Sequence, residues 1–188
     1  LLEYTMVFFF GSNKRSFPQA VKMHSYDLGP VTITNIQLLI LVVAIVLMVG
    51  LQLIVKQTKM GKAMRAVSVD SDAAQLMGIN VDSTISFTFA LGSALAGAAG
   101  VLIALYYNSI DPLMGMTPGI KAFVAAVLGG IGLIPGAAIG GFVIGILETL
   151  SNAIGLSTYR DAIVYAVLIV ILLVRPAGIL GKNVKEKV

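Results

Sequence analysis

Few side chains of this sequence could do bond-making chemistry, and none is grouped as catalysis requires. There is no Cys and a single His, His24, so a thiolate nucleophile, a disulfide or a His-based metal site has no support. The sequence contains no G-x-x-x-x-G-K-[ST], G-x-S-x-G or H-E-x-x-H pattern, which argues against a P-loop, a serine hydrolase and a zinc protease. We therefore expect no catalytic residue, no metal site and no cofactor in this chain.

One polar segment interrupts the apolar sequence, GKAMRAVSVDSDAAQLMGI at Gly61 to Ile79, which we call the island. Apolar residues just before and within it recur with helical spacing, which predicts an amphipathic helix from Lys59 to Val67. Asp70 or Ser71 can cap a second short helix that reaches Met77, with Gly78 as its C-terminal stop. A membrane protein that keeps such polar helices between spans is expected to present them to a soluble partner.

The composition is that of an integral membrane protein. Of the 188 residues 57% are hydrophobic and only 12% are charged, with a mean hydropathy of +0.95. A soluble domain carries about 25% charged residues, so this chain cannot cover itself with polar groups. The net charge of +4 is attributed to basic loops on one membrane face rather than to nucleic-acid binding.

The pattern predicts an all-α, polytopic membrane protein in a single domain over residues 1–188, with about five complete spans and the end of an N-terminal helix at Met6 to Phe10. Complete spans are expected at Ile36–Val55, Ser83–Tyr107 and Asp161–Val174. In the second of these, small residues four apart predict close packing on another helix of the chain or, alternatively, a pore lining; they are Gly92, Ala96, Gly100 and Ala104.

Residues 119–155 are too long for one span and are broken by a glycine-rich turn. We predict a hairpin of helices at about 119–130 and 136–152. Its candidate hinge or pathway residues are Gly129, Gly130, Gly132, Pro135 and Gly136. The alternative is that the glycines only allow tight packing. In this hairpin Lys121 and Glu148 come to the same, outer end, and we predict an ion pair; otherwise each side chain extends separately to the interface, or Glu148 contacts a substrate.

The basic residues suggest an orientation. Eight of the 13 Lys and Arg residues lie in the island region and the C-terminal tail, which favours a cytoplasmic loop at 57–82 and a cytoplasmic C-terminus. The loop and the C-terminus lie on the same side only if an even number of membrane crossings separates them. That number is even when residues 119–155 form a hairpin and odd when they form a single span. Residues 11–36 are then an extracytoplasmic loop, with one short strand predicted at Val31–Thr34.

The island resembles the cytoplasmic loop of LivH-type permease subunits of ABC transporters for branched-chain amino acids. The shared pattern is carried by Gly61, Ala63, Arg65, Ala66, Asp70, Asp72, Ala74, Leu76, Gly78 and Ile79. The resemblance extends from about Gln52 to the end and includes GIKAFVAAVLGGIGLIPGAAIGGFVIGILETL and LLVRPAGILG. It implies a type II-like ABC importer permease fold whose N-terminal half is missing, an interpretation that the abrupt start of the chain also suggests.

The resemblance also implies a set of partners in a bacterial or archaeal cell membrane. They are a second homologous permease, two cytoplasmic ATPase subunits that carry ATP and Mg, and an extracytoplasmic solute-binding protein. The residues expected to couple to the ATPase are Gly61, Arg65, Ala66, Asp70, Asp72, Ala73, Ala74, Leu76 and Gly78. Permeases for a sugar or urea share this pattern and remain an alternative, as does a passive channel or secondary transporter that needs no ATPase.

Overall fold

A computed structural model describes residues 1–18, 24–27, 32–175 and 177–181. Contacts within the chain divide it into two compact units, Leu1–Leu113 and Met114–Val188, which are described separately. The prediction of a single domain therefore stays a prediction.

The first unit contains five helices among its described residues. They are α1 (Leu2–Phe10), α2 (Asn35–Gln57), α3 (Lys59–Val69), α4 (Ser71–Leu76) and α5 (Val81–Tyr107). The two long apolar helices, α2 and α5, match the predicted spans to within three residues, because uncharged runs of this length define a span by themselves. The island forms the predicted pair of short helices, α3 and α4, between them.

Two small antiparallel strand pairs complete the first unit. Strand β2 (Ser25–Asp27) pairs with β3 (Thr32–Thr34). Strand β1 (Arg15–Ser16) pairs with β4 (Ser109–Ile110), which directly follows α5. The strand predicted at Val31–Thr34 is present from Thr32, and Val31 lies outside the described residues. The other three strands were not predicted, since each has at most three residues and too little alternation to read.

The second unit is a three-helix arrangement. Helix α6 (Met116–Gly129) and helix α7 (Ile134–Ala153) are joined by the glycine turn, and a 3-10 turn at Ser157–Tyr159 leads into α8 (Arg160–Val174). Its core consists of Val124, Ala125, Ile144 and Val164, with Leu147, Tyr165 and Leu168 packed against it. Helix α6 begins earlier than predicted. Pro118, read as a turn signal, lies in its first turn, where a missing N–H removes no helical hydrogen bond.

Among the described residues, the helices at Asn35–Gln57, Val81–Tyr107 and Ile134–Ala153 and the segment Ser157–Val174 are long and apolar enough to cross a membrane. Helix α6 is also apolar but has 14 residues, a rise of about 21 Å at 1.5 Å per residue. That is less than the ~30 Å hydrocarbon core. The chain is thus a polytopic helical membrane protein with one shorter apolar helix.

Among the described residues of the first unit, the small-residue stripe of α5 is mostly without neighbours. A Cβ placed at Gly92 or Gly100 would meet no atom within 4 Å. Only Ala104 is buried, with 3% of its surface exposed. The expected packing of the stripe against a helix of the same chain and the alternative of a pore lining both stay predictions.

Candidate functional site

The island is attached to the end of α2 by backbone contact. Thr58 separates α2 from α3, and its hydroxyl donates to Ile54 O (2.6 Å) while it accepts from Gly61 N (3.0 Å). Gly61 is buried, and a Cβ there would lie 2.3 Å from the carbonyl oxygens of both Ile54 and Val55. Only glycine allows the first turn of α3 to approach the last turn of α2 so closely.

Arg65 makes a second link between the same helices. Its guanidinium Nη1 donates to the carbonyl oxygen of Val55, ten residues earlier, in the last turns of α2. Carbonyls near a helix C-terminus have no partner in the helix, and a cation is favoured there by the helix dipole. Sequence reasoning assigned Arg65 to ATPase coupling or to stopping the span; it did not foresee this bond, because nothing local pairs the two positions.

Helix α4 is defined by caps at both ends. The Asp70 Oδ1 accepts from the backbone N–H groups of Asp72 (3.0 Å) and Ala73 (2.9 Å), so Asp70 rather than Ser71 is the N-cap. At the other end Gly78 has φ +83°, and its N–H and that of the next residue close a Schellman motif on the last turn. Both caps were predicted from the residue types.

The outward surface of the island is apolar at its helix ends. Leu76 is 89% exposed, Met77 82% and Val69 87%. Of the α4 residues only Ala74 is buried. Among the other predicted coupling residues, Asp70, Asp72 and Ala73 are exposed and Ala66 is half-buried. Val69 was not predicted, and Met77 was predicted only as the last residue of the second short helix, although the position of both at the ends of polar helices is a signal that sequence reading could have used.

Helix α5 begins directly after the island, with Asn80 as its N-cap. The Asn80 side-chain oxygen accepts from Ser83 N (2.9 Å) and caps α5, while the Thr84 hydroxyl donates to Asn80 O (2.8 Å). Thr84 is 3% exposed. The island is thus hydrogen-bonded to α2 at its first end, and α5 begins after its second end with a cap of its own.

In the second unit, α6 and α7 touch backbone to backbone. A Cβ at Gly129 would lie 1.9 Å from Gly136 O, and one at Gly140 would lie 2.1 Å from Ala125 O. These pairings run in opposite directions along the two helices, so residues 119–150 pack as an antiparallel hairpin. Gly129 and Gly136, predicted as hinge residues, are thus contact points between the two helices.

The turn of this hairpin is bound by the segment that follows α8. Gly130 and Gly132 have positive φ values of 110° and 87°, which L side chains rarely adopt. The backbone N–H groups of Ile179 and Leu180 donate to Leu128 O (2.9 Å) and to Gly129 O (3.2 Å). Residues 177–181, which we call the strap, therefore supply partners to the last carbonyls of α6. Pro135 lies in the first turn of α7.

At the opposite end of the second unit, charged side chains join all three helices. Lys121 Nζ lies 2.6 Å from Glu148 Oε1 and 2.9 Å from Asp161 Oδ1, and Arg160 Nε lies 3.6 Å from the same Asp161 oxygen. The predicted Lys121–Glu148 pair is present in the structure. Asp161 and Arg160 were not predicted as members, although their position at the start of the last apolar helix was a usable signal.

This charged network is largely self-compensating. Two carboxylates face two cations, and the side chains of Lys121 and Glu148 are only 18% and 24% exposed. Each charge has an opposite charge nearby, which is how ionisable groups are usually accommodated among apolar helices. Within the part of the chain that the structure describes, no group of three or more His, Cys, Asp or Glu side chains is placed to hold a metal ion.

The apolar helices and the exposed island define the class of the chain, a polytopic helical membrane protein with a solvent-directed segment between spans. Residues 2–172 match the family described as the permease component of the branched-chain amino acid transport system, and the chain belongs to that family.

Curated relatives of the chain carry matching names. The high-affinity branched-chain amino acid transport system permease protein LivH of Escherichia coli K12 is 47% identical over 157 residues, which is 84% of this chain and 51% of that protein. BraD of Pseudomonas aeruginosa, a permease protein of the same system name, is 44% identical over 162 residues, 86% of this chain and 53% of BraD. The ribose import permease protein RbsC of Haemophilus influenzae is 32% identical over 124 residues, 63% of this chain and 38% of RbsC.

The chain spans about half the length of the branched-chain amino acid permeases that it matches. A comparison with the solved structures found no match.

Proposed function

We propose that this chain is part of a membrane-spanning permease subunit of an ATP-driven importer for branched-chain amino acids. Solute would move by alternating access, driven by separate ATPase subunits docked on the island. The observation that carries this proposal is the surface of α4, which is fixed by caps at both ends yet exposes Leu76 and Met77 almost completely. Exposed apolar side chains on a rigid short helix are more stable when they are buried in the groove of a partner than when they contact water.

The chemistry of ATP hydrolysis belongs to the partner in this proposal. The sequence has no P-loop, so ATP and Mg would bind on the ATPase subunits. A second homologous permease would complete the membrane pathway, and an extracytoplasmic binding protein would deliver the solute. In this proposal the island and the C-terminus face the cytoplasm, which the excess of basic residues in and around them supports.

The proposed substrate class rests on the names of the relatives. LivH and BraD are named for branched-chain amino acid transport, and they match more of this chain, at higher identity, than RbsC does. The match to a ribose import permease makes a monosaccharide importer the second candidate.

Docking is tested by co-purification of the ATPase subunit with the complete permease that contains this chain. Leu76→Asp should reduce the bound ATPase about tenfold or more, because a buried apolar contact would be replaced by an unpaired charge. Gln75→Asp is the matched control, since it adds the same charge to an exposed position of the same helix. Equal loss in both variants, or in neither, would contradict docking through the apolar end of α4.

The substrate is tested by uptake into proteoliposomes that contain the assembled importer and its binding protein. Leucine should be taken up only when ATP is present on the side of the membrane that carries the ATPase subunits. Ribose should not reduce the uptake of leucine. Uptake of ribose without leucine would favour the monosaccharide importer. Uptake of leucine without ATP would favour a secondary transporter or channel.

A further inference from the structure

Helix α3 is attached to α2 by contacts to two backbone carbonyls at the end of α2. The last turns of α2 offer two carbonyl oxygens to residues beyond the helix: Ile54 O accepts from the Thr58 hydroxyl, and Val55 O accepts from the Arg65 guanidinium. Between these two bonds, Gly61 brings the backbone of α3 against the same carbonyls. Side chain, backbone and charge all fix the angle between the two helices.

The joint between α3 and α4 is built differently. There the Asp70 side chain accepts only from amides of α4, while its backbone N–H donates to Ala66 O at the end of α3. Among the described residues the two joints therefore differ: a long side chain from the middle of α3 bonds to α2, whereas the hydrogen bonds at the α3–α4 joint involve the shared cap residue Asp70.

We propose that Arg65 is a positioning residue that makes α2 and α3 move as one body, so that a displacement of the island reaches the transmembrane helix. This proposal rests on the proposed function and assigns Arg65 a task other than docking, because its guanidinium is directed at Val55 O within the chain. The bond spans ten residues and crosses from the island to α2. Removing it would leave the Thr58 cap and the Gly61 contact in place but release the middle of α3.

The matched control lies on the same helix. Lys62 is an exposed cation three residues before Arg65 and forms no ion pair with any described residue. A general loss of positive charge from the island would affect Lys62→Gln and Arg65→Gln alike. Loss of the α2–α3 bond would affect Arg65→Gln alone.

The test uses the complete importer in proteoliposomes, with its binding protein and leucine. Arg65→Gln should retain the ATPase subunits in normal amount. The leucine-stimulated increase in ATP hydrolysis should fall about tenfold or more, because one charge-assisted hydrogen bond corresponds to a factor of that size. Arg65→Lys retains a charged donor and should recover most of the stimulation, and Lys62→Gln should match the unaltered protein. Release of the ATPase subunits by Arg65→Gln would overturn the proposal, as would unchanged stimulation.

A distance measurement on the permease alone separates this inference from the proposed function. This chain has no Cys, so after replacement of any Cys elsewhere in the permease, spin labels can be placed at Val46 in α2 and Lys62 in α3, both exposed. The distance distribution should be narrow in the otherwise unaltered chain and clearly broader with Arg65→Gln. An unchanged width would overturn the proposal. If the unaltered permease binds no ATPase, the proposed function fails while this measurement still decides whether Arg65 fixes the joint.

Discussion

Lys121 is the centre of the charged network in the second unit, and its substitution should be more costly than that of either acid. Its ammonium group is shared by two carboxylates on two other helices, at 2.6 Å from Glu148 and 2.9 Å from Asp161. Lys121→Met keeps the aliphatic stem but removes the charge. It leaves two acids close together with Arg160 as their remaining cation.

The size of the loss follows from exposure. Removing one partner of a fully buried pair costs about 3–5 kcal/mol, whereas a solvent-exposed pair contributes less than about 1 kcal/mol. The side chains of Lys121 and Glu148 are mostly but not fully buried, and that of Asp161 is 45% exposed. We therefore expect Lys121→Met to lower the free energy of unfolding by about 2 kcal/mol.

The two acids should respond less than the lysine. Glu148→Gln leaves the Lys121–Asp161 pair in place, so its cost should be about 1 kcal/mol. The double variant Lys121→Met with Glu148→Gln should be less destabilised than the sum of the two single variants, because no unpaired carboxylate remains at Glu148. A coupling of about 1 kcal/mol is expected.

The measurement is the free energy of unfolding of the purified permease, from titration with SDS in maltoside micelles followed by circular dichroism. Lys62→Met provides the baseline, since Lys62 is exposed and forms no ion pair with a described residue. If Lys121→Met costs within about 0.5 kcal/mol of that baseline, the network contributes no stability and the reasoning is refuted.

Four further substitutions test the helix contacts and caps. Gly140→Ala should cost about 2 kcal/mol or more in the same titration, because its Cβ would lie 2.1 Å from Ala125 O; Gly145→Ala, with open space around it, should be neutral or stabilising by up to about 1 kcal/mol. Asp70→Ala should remove about 1 kcal/mol of cap energy and speed amide exchange in α4, measured by hydrogen exchange and mass spectrometry. Gly78→Ala should do the same at the other end of α4, because φ +83° costs an L residue about 1 kcal/mol.

The features of the island that were predicted from the sequence are those that depend only on residues close together in the chain. Asp70 and Gly78 mark the two ends of α4 by their residue type alone, since each acts on backbone groups within a few positions. The bond from Arg65 to Val55 is also near in sequence, but it depends on the angle between α2 and α3. That angle is set by the close approach at Gly61, which a sequence pattern does not display.

The glycines also show that a sequence pattern does not reveal contacts between helices. In α5 and in the hairpin, small residues recur at helical spacing, yet Gly92 faces open space while Gly140 touches another backbone. Spacing defines which face of a helix is smooth, and only the partner helix decides whether that face is used. Asp161 was missed for a related reason, because its link to Lys121 joins two helices that are distant in sequence.

The strap constrains the path of the chain through the second unit. Since Ile179 and Leu180 bond to the last carbonyls of α6, the C-terminal ends of α6 and α8 lie together, and α7 must return between them. The glycine turn and the strap should therefore face the same side of the membrane.

A single Cys in place of Ile131, which is 79% exposed, should react with a membrane-impermeant maleimide from the same side as one at Leu180. A Cys at Ile154, at the other end of α7 and 73% exposed, should react from the opposite side. Labelling of the Ile131 and Leu180 positions from different sides would contradict the hairpin, and with it the argument that places the island and the C-terminus on one face.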